Sequence, residues 1–230
     1  MKKALFVPML IAGLGLATLN GCSDDETTPV GTSPNQTGNV MAVHVSPDAP
    51  GVDLLVDNAI AGTNLMFPAN TQYLAVPAGN RNIKVNVTST STSVFDLTLP
   101  ISVDVNYSVF AVGALTTIDT LVLIDDLAVP AAGKAHVRFI HLSPDAPAVD
   151  VALQGGTVVF GDKSFKQFTA FTPLDAGMYN LEVRLANSST VVLPLPNITL
   201  QAGKIYTVFA KGFVSGTGSQ ALGAQIILNN

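Results

Sequence analysis

The chain has 230 residues, of which 48% are hydrophobic and only 12% charged, with a formal net charge of −5 and a single cysteine. Such a composition suffices for one or two ordinary cores. The acidic balance, without any cluster of Lys and Arg, argues against a nucleic-acid partner, whose phosphates demand one, and one cysteine excludes an intramolecular disulfide.

In chain order, Lys2 and Lys3 precede an apolar stretch from Ala4 to about Leu19, followed by Leu19-Asn20-Gly21-Cys22. The stretch is shorter than the roughly 20 residues that span hydrocarbon, so residues 1–21 read as a cleaved signal peptide. The small residues before Cys22 resemble the lipobox of bacterial lipoproteins, with Asn20 in place of the usual Ala or Ser. That resemblance implies lipidation of Cys22 by palmitate-type acyl chains, and a membrane held as partner through the lipid. The acidic run Ser23-Asp24-Asp25-Glu26 resembles the signal that exports Bacteroidetes lipoproteins to the cell surface; a periplasm-facing place in the outer membrane is the alternative. Residues 22–39, rich in Thr, Pro, Asn, Asp and Gly, read as a flexible tether.

The remainder divides into two repeats, 40–130 and 134–230, joined at Pro130-Ala131-Ala132-Gly133. HVSPDAPGVD at His44–Asp53 returns as HLSPDAPAVD at His141–Asp150. The segment Gln72–Gly79 is matched to Gln167–Phe171 and, after a short insertion, Ala176-Gly177. Ile83–Val87 is matched to Leu181–Leu185, and Tyr107–Gly113 to Tyr206–Gly212. Each repeat consists of short Val, Ile, Leu and Thr runs between Gly, Pro, Asn and Asp, with no long period of 3.6. This pattern predicts an all-β protein of two tandem immunoglobulin-like antiparallel β-sandwiches. So short a connector lets the two sandwiches touch.

The opening motif reads as a strand running into a turn. Val137, Phe139 and His141 share one face; Arg138, Ile140 and Leu142 share the other. Pro144 fixes its own φ and Pro147 pushes Ala146 out of the helical region. His44 and His141 are then buried, hydrogen-bonded residues, and Asp48 and Asp145 cap backbone N–H groups of the turn. Beyond the turn, alternation places Asp53, Asp57 and Asp150 on the wet face. Tyr107 and Tyr206, each following a turn at the start of a strand, resemble the tyrosine corner of immunoglobulin-like sandwiches. Phe165, Phe168 and Phe171 alternate so that at least one faces outward or toward the first repeat.

The repeated motif, the Ala-Gly turn and the Tyr-x-Val-Phe-Ala strand together resemble domain-of-unknown-function family 4397 in two tandem copies, from about Val40 onward. The resemblance implies a secreted or surface-anchored bacterial domain and no established reaction. The first copy departs from it with Arg81 where the second has Tyr179, and with Asn58 where a Gly turn is usual.

His44, Ser46 and Asp48 have the residue types of a catalytic triad, but neighbours stiffened by prolines do not converge on one point. No zinc spacing is present. Asp48 with Asp53, and Asp145 with Asp150, supply only a few of the six to eight oxygens that calcium takes. The expectation is a lipid-anchored, non-enzymatic envelope protein without cofactor, acting as a binding or spacing module. The alternative is a calcium-dependent or glycan-binding surface protein for adhesion or nutrient capture, with an extracellular glycan or protein as ligand.

Overall fold

Strand after strand of the chain alternates Val, Ile and Leu with Thr, Ser and Asn, and at most of the positions where the backbone takes positive φ stands Gly, Asn or Asp, as at Asp57, Asn58 and Asn187. The computed structural model describes residues 36–230; the signal peptide, Cys22 and the acidic run lie outside the described residues.

The first repeat holds β1 (Thr37–His44), β2 (Val52–Val56), β3 (Ala59–Leu65), β4 (Leu74–Pro77), β5 (Gly79–Val87), β6 (Ser93–Ile101), β7 (Asn106–Val112) and β8 (Asp119–Asp125). The second holds β9 (Lys134–His141), β10 (Val149–Leu153), β11 (Val158–Lys163), β12 (Thr172–Asp175), β13 (Gly177–Leu185), β14 (Val191–Leu200), β15 (Ile205–Lys211) and β16 (Gly223–Leu228). β1 begins at Thr37, so Thr37–Asn39 belong to the first sandwich and not to the tether.

Each repeat forms two four-stranded sheets. Their orders are β4-β1-β7-β8 and β3-β2-β5-β6 in the first, and β12-β9-β15-β16 and β11-β10-β13-β14 in the second. Pairing is antiparallel except for β1 with β7 and β9 with β15, which run parallel, so neither sandwich is purely antiparallel. The predicted all-β pair of sandwiches is what the chain forms.

The register corrects one sequence match. β4 pairs β1 through Leu74↔Val40, and β12 pairs β9 through Thr172↔Val137. Gln72–Gly79 therefore corresponds to Ala170–Gly177 without any insertion. Thr71 and Thr169 confirm the frame, because their hydroxyls accept the equivalent N–H groups of Ala42 and Phe139 at 3.0 Å. The shared glutamine of the two segments was a coincidence of composition.

Within each sandwich the two sheets enclose a core, around Val40, Leu54, Ile83 and Val109 in the first and around Phe139, Val151, Val183 and Val208 in the second. A third core lies between the repeats. Met41, Val43, Phe110 and Leu123 of the first meet Ile140, Leu142, Phe209 and Ile227 of the second. The repeats thus stack in four layers, with the two sheets built on β1 and β9 in the middle. Both faces of these strands are buried, which accounts for their continuous apolar runs. Phe110 and Phe209 hold equivalent positions and meet edge to face across the interface, centroids 6.3 Å apart.

Candidate functional site

The two copies of the opening motif fold alike. His44 Nε2 lies 3.0 Å from the Pro50 carbonyl and His141 Nε2 3.0 Å from that of Pro147, so the turn places an acceptor six residues on against each ring. Both imidazoles are wholly buried. Burial holds their pKa values below the ordinary 6.5, with the proline carbonyls opposing in part.

The unfolded chain titrates these groups near 6.5, and below that pH it takes up protons that the folded chain refuses. Their contribution to stability is therefore level above about pH 6.5 and falls as the pH drops through it. Urea midpoints measured from pH 7.5 to 5.5 are expected to decline, and the decline is expected to flatten in the double variant His44→Gln, His141→Gln. An equal slope in both proteins would assign the effect elsewhere.

The capping aspartates reach farther than the sequence implied. Asp48 accepts the Leu115 N–H at 2.8 Å, and Asp145 accepts that of Val214 at 2.9 Å. These donors belong to the loops after β7 and β15, not to the motif's own turn, so each Asp ties the turn to a segment more than 60 positions away. Ser143 Oγ adds to this tie by donating to the Gly212 carbonyl at 2.6 Å.

Asp53 and Asp150 organise hairpins. Asp53 accepts from Asn64 N, Ser89 N and the Thr88 hydroxyl, and the backbone donors hold its carboxyl below the usual range. Asp150 accepts from Asp162 N at 2.6 Å and Asn187 N at 2.9 Å. It is buried, contrary to the wet-face expectation, because β11 and the turn after β13 fold over it. Calcium at Asp48, Asp53, Asp145 or Asp150 would have to compete with these N–H donors. Among the described residues, no three His, Cys, Asp or Glu side chains gather as a metal-sized cluster.

The tyrosines form the expected corners. Tyr107 OH accepts from Ser102 N at 3.1 Å and donates to the Pro100 carbonyl at 3.3 Å, while Tyr206 OH accepts from Gln201 N at 3.1 Å.

Sequence reasoning missed the polar cluster at the centre of the repeat interface. Arg138 Nη1 lies 2.6 Å from Asp125 Oδ1, with both side chains buried. The guanidinium also donates through Nε to Thr207 Oγ1 at 2.8 Å and through Nη2 to Ser108 Oγ at 3.2 Å. Asp125 Oδ2 accepts from the hydroxyls of Ser108 and Tyr73, both at 2.5 Å. Asn229 closes the circuit, donating to Tyr73 OH at 3.0 Å and accepting from Thr207 at 2.8 Å. Burial, and after it the Asp125 charge, pushes the Tyr73 hydroxyl's pKa upward. Phe171, the counterpart of Tyr73, stacks on the guanidinium with its centroid 4.6 Å away. An arginine between Val137 and Phe139, where the first repeat has Met41, was the one available signal. Of the other two phenylalanines, Phe165 joins the interface core and Phe168 faces solvent.

One cavity accompanies the second motif. It measures about 460 Å³ and is bounded by His141, Pro147, Val149, Val183 and Leu193, whereas the corresponding space beside His44 is about 10 Å³.

Compared with known proteins, the chain matches the profile of the family described as Domain of unknown function (DUF4397) over residues 38–152 and again over 152–230. The first match runs past the connector into β10, although the second sandwich itself begins at Lys134. No curated protein matches the sequence. Among solved structures it is similar to the crystal structure of CBMbc (family CBM26) from Eubacterium rectale Amy13K in complex with maltoheptaose. That similarity has 7% identity and a TM-score of 0.29 over 82% of this chain and 96% of that one.

Proposed function

The chain belongs to the DUF4397 family, of which it carries two copies, and on that premise we propose a non-enzymatic, lipid-anchored envelope protein whose paired sandwiches serve as one binding or spacing module. The observation that carries this reading is how the second motif uses its polar groups. His141 holds the Pro147 carbonyl, Ser143 the Gly212 carbonyl and Asp145 the Val214 N–H. A nucleophile and its base must lie within hydrogen-bond reach of one another, and here no hydrogen bond joins His141 to the Ser143 hydroxyl, which meets the Asp145 carboxylate only at 3.5 Å and is turned chiefly to the Gly212 carbonyl. The buried interface adds to the reading, because it joins two sandwiches into one unit suited to projecting from a surface.

In this reading Cys22 carries the lipid and Asp24-Asp25-Glu26 directs the protein to the outer face of the outer membrane, with a periplasm-facing position as the alternative. The partners are the membrane and an extracellular glycan or protein. The solvent-facing Phe168, 48% exposed beside Ile124 at 70%, is the observation that favours a surface contact.

Protease treatment of intact Bacteroidetes cells expressing the protein tests the placement. Digestion of the sandwiches from outside is expected, with protection in a variant lacking Asp24, Asp25 and Glu26 and release of the protein by Cys22→Ser. Sandwiches that stay protected until the outer membrane is opened would overturn surface exposure.

A further inference from the structure

The cavity beside His141 is far larger than its counterpart beside His44, and two differences accompany it: its outer wall is Val214, Gly216, Ala221 and Leu222 of the long loop between β15 and β16, which the first repeat does not match, and the register changes the side chains of its inner wall. β5 and β6 pair Val85 with Phe95, where β13 and β14 pair Val183 with Leu193. β2 and β3 pair Val52 with Leu65, where β10 and β11 pair Val149 with Lys163. In the first repeat Phe95 and Leu65 pack against the core and leave about 10 Å³. In the second, Leu193 is the smaller side chain, and Lys163 turns away to the carbonyls of Gly161 and Asp162. A space of about 460 Å³ remains.

The second core also keeps a smaller space of about 120 Å³ beside Phe139 and Phe160. Phe139 and Phe160 stand where the first repeat has Ala42 and Gly62, and they stack at 6.4 Å between centroids. Aromatic mass stands in the middle of the sandwich, and the larger of the two spaces lies at the end beside His141. A recess of this size lined by aliphatic groups presents apolar surface that an apolar occupant would take out of water. Its volume lies in the range of ligand pockets, about 300–1,000 Å³.

The lining decides the ligand class. Apart from His141 the cavity is walled by Val, Leu, Ala, Pro and Gly residues. A sugar there would find few polar partners beyond His141 and scattered backbone atoms, and each hydroxyl buried without one costs about 1–3 kcal/mol. An apolar molecule meets no such penalty. Val192 and Val214 stand at the rim, the latter 55% exposed, and give an apolar entrance. The first repeat points to the shape of an occupant, since the phenyl ring of Phe95 lines the small equivalent space where Leu193 lines the large one.

We propose that the second repeat binds one small aromatic molecule in the cavity between His141 and Leu193, whose small counterpart in the first repeat is lined by Phe95. The site goes beyond the anchoring and spacing role and does not depend on surface exposure, so its failure would leave that role standing.

The test is a titration of the full mature chain, carrying Cys22→Ser to keep it free of lipid, with 1-naphthol, and in parallel with maltotriose. Binding is followed by the Val and Leu methyl signals in carbon-13 NMR. Saturable shifts are expected at Val149, Val183, Leu185 and Leu193 with one 1-naphthol per chain, and none with maltotriose. Leu193→Phe, which copies the first repeat, is expected to weaken binding at least tenfold without lowering the unfolding midpoint. Phe95→Leu is expected to open a second site, with new shifts at Val52 and Val85, and it keeps the test decisive should Leu193→Phe fail to fold. Absence of saturable shifts up to the solubility limit of 1-naphthol would overturn the proposal. So would binding that Leu193→Phe leaves unchanged, or maltotriose saturating the same methyls.

Discussion

Replacing Asp125 with Ala is expected to destabilise the protein by about 3–5 kcal/mol, because the substitution strands a buried guanidinium. Arg138 is 2% exposed, and among the described residues the Asp125 carboxylate is the anion paired with it. Ser108 and Thr207 stay within its reach but bring no charge. The double variant Arg138→Met, Asp125→Asn should recover most of the loss. It installs what the opposite repeat already has, because Met41 is the counterpart of Arg138 and Asn229 that of Asp125. Replacement of a buried ion pair by groups of similar volume is often close to neutral. Urea unfolding checks both variants, and a loss below about 1 kcal/mol for Asp125→Ala would mean that water reaches the guanidinium and replaces the carboxylate.

The pair also makes the interface directional. Equivalent faces of the two repeats meet there, so the cluster could have been symmetric. It is not, since the first repeat brings the carboxylate and Tyr73 and the second brings the guanidinium and Phe171. Two first repeats pressed together would bury two carboxylates without a cation, and two second repeats would bury two guanidinium groups. Only the unlike pairing satisfies both charges, and the short connector supplies it within one chain.

The second large effect is expected at Gly212. Its φ is +81°, and an added Cβ would stand 2.2 Å from the Ala221 carbonyl oxygen and 2.6 Å from its carbon. The left-handed conformation costs an L-residue about 1–2 kcal/mol. The overlap falls on backbone, which cannot swing aside, and overpacking of this kind adds about 1–3 kcal/mol. Gly212→Ala should therefore cost about 3 kcal/mol or more and loosen the loop that meets Ser143 and Asp145. Gly155→Ala is the control, with φ +64° and nothing within 4 Å of the added Cβ. It should cost only the conformational share. Similar urea midpoints for the two variants would show that the close approach at Ala221 relaxes without penalty.

How far the sequence was legible depended on the distance between partners. His141 and the Pro147 carbonyl are six residues apart, and the tyrosine corners close over five to seven residues. Local spacing was enough for both. Asp145 is bonded 69 positions away, and the strand pattern had no means of identifying its donor. Asp150 was read as wet from alternation, yet alternation describes only which side of its own strand a residue takes. The neighbouring turn that buries it follows from the tertiary fold. The glutamine that misaligned the fourth strand of each repeat shows the same weakness, because a four-residue strand carries too little pattern to set its register.

By itself the sequence determined the all-β class, the two repeats, the family and the burial of the motif histidines, since all of these rest on short-range spacing and on internal repetition. The tertiary structure alone decided that the repeats meet through their β1 and β9 sheets, that Arg138 and Asp125 pair across that contact, and that the space beside His141 is far larger than the one beside His44. The physical reason is that a strand has two faces, and its residues do not encode what covers the second. The burial of Arg138 and the space beside Leu193 both arise from groups far along the chain, and they exist only once the layers are stacked.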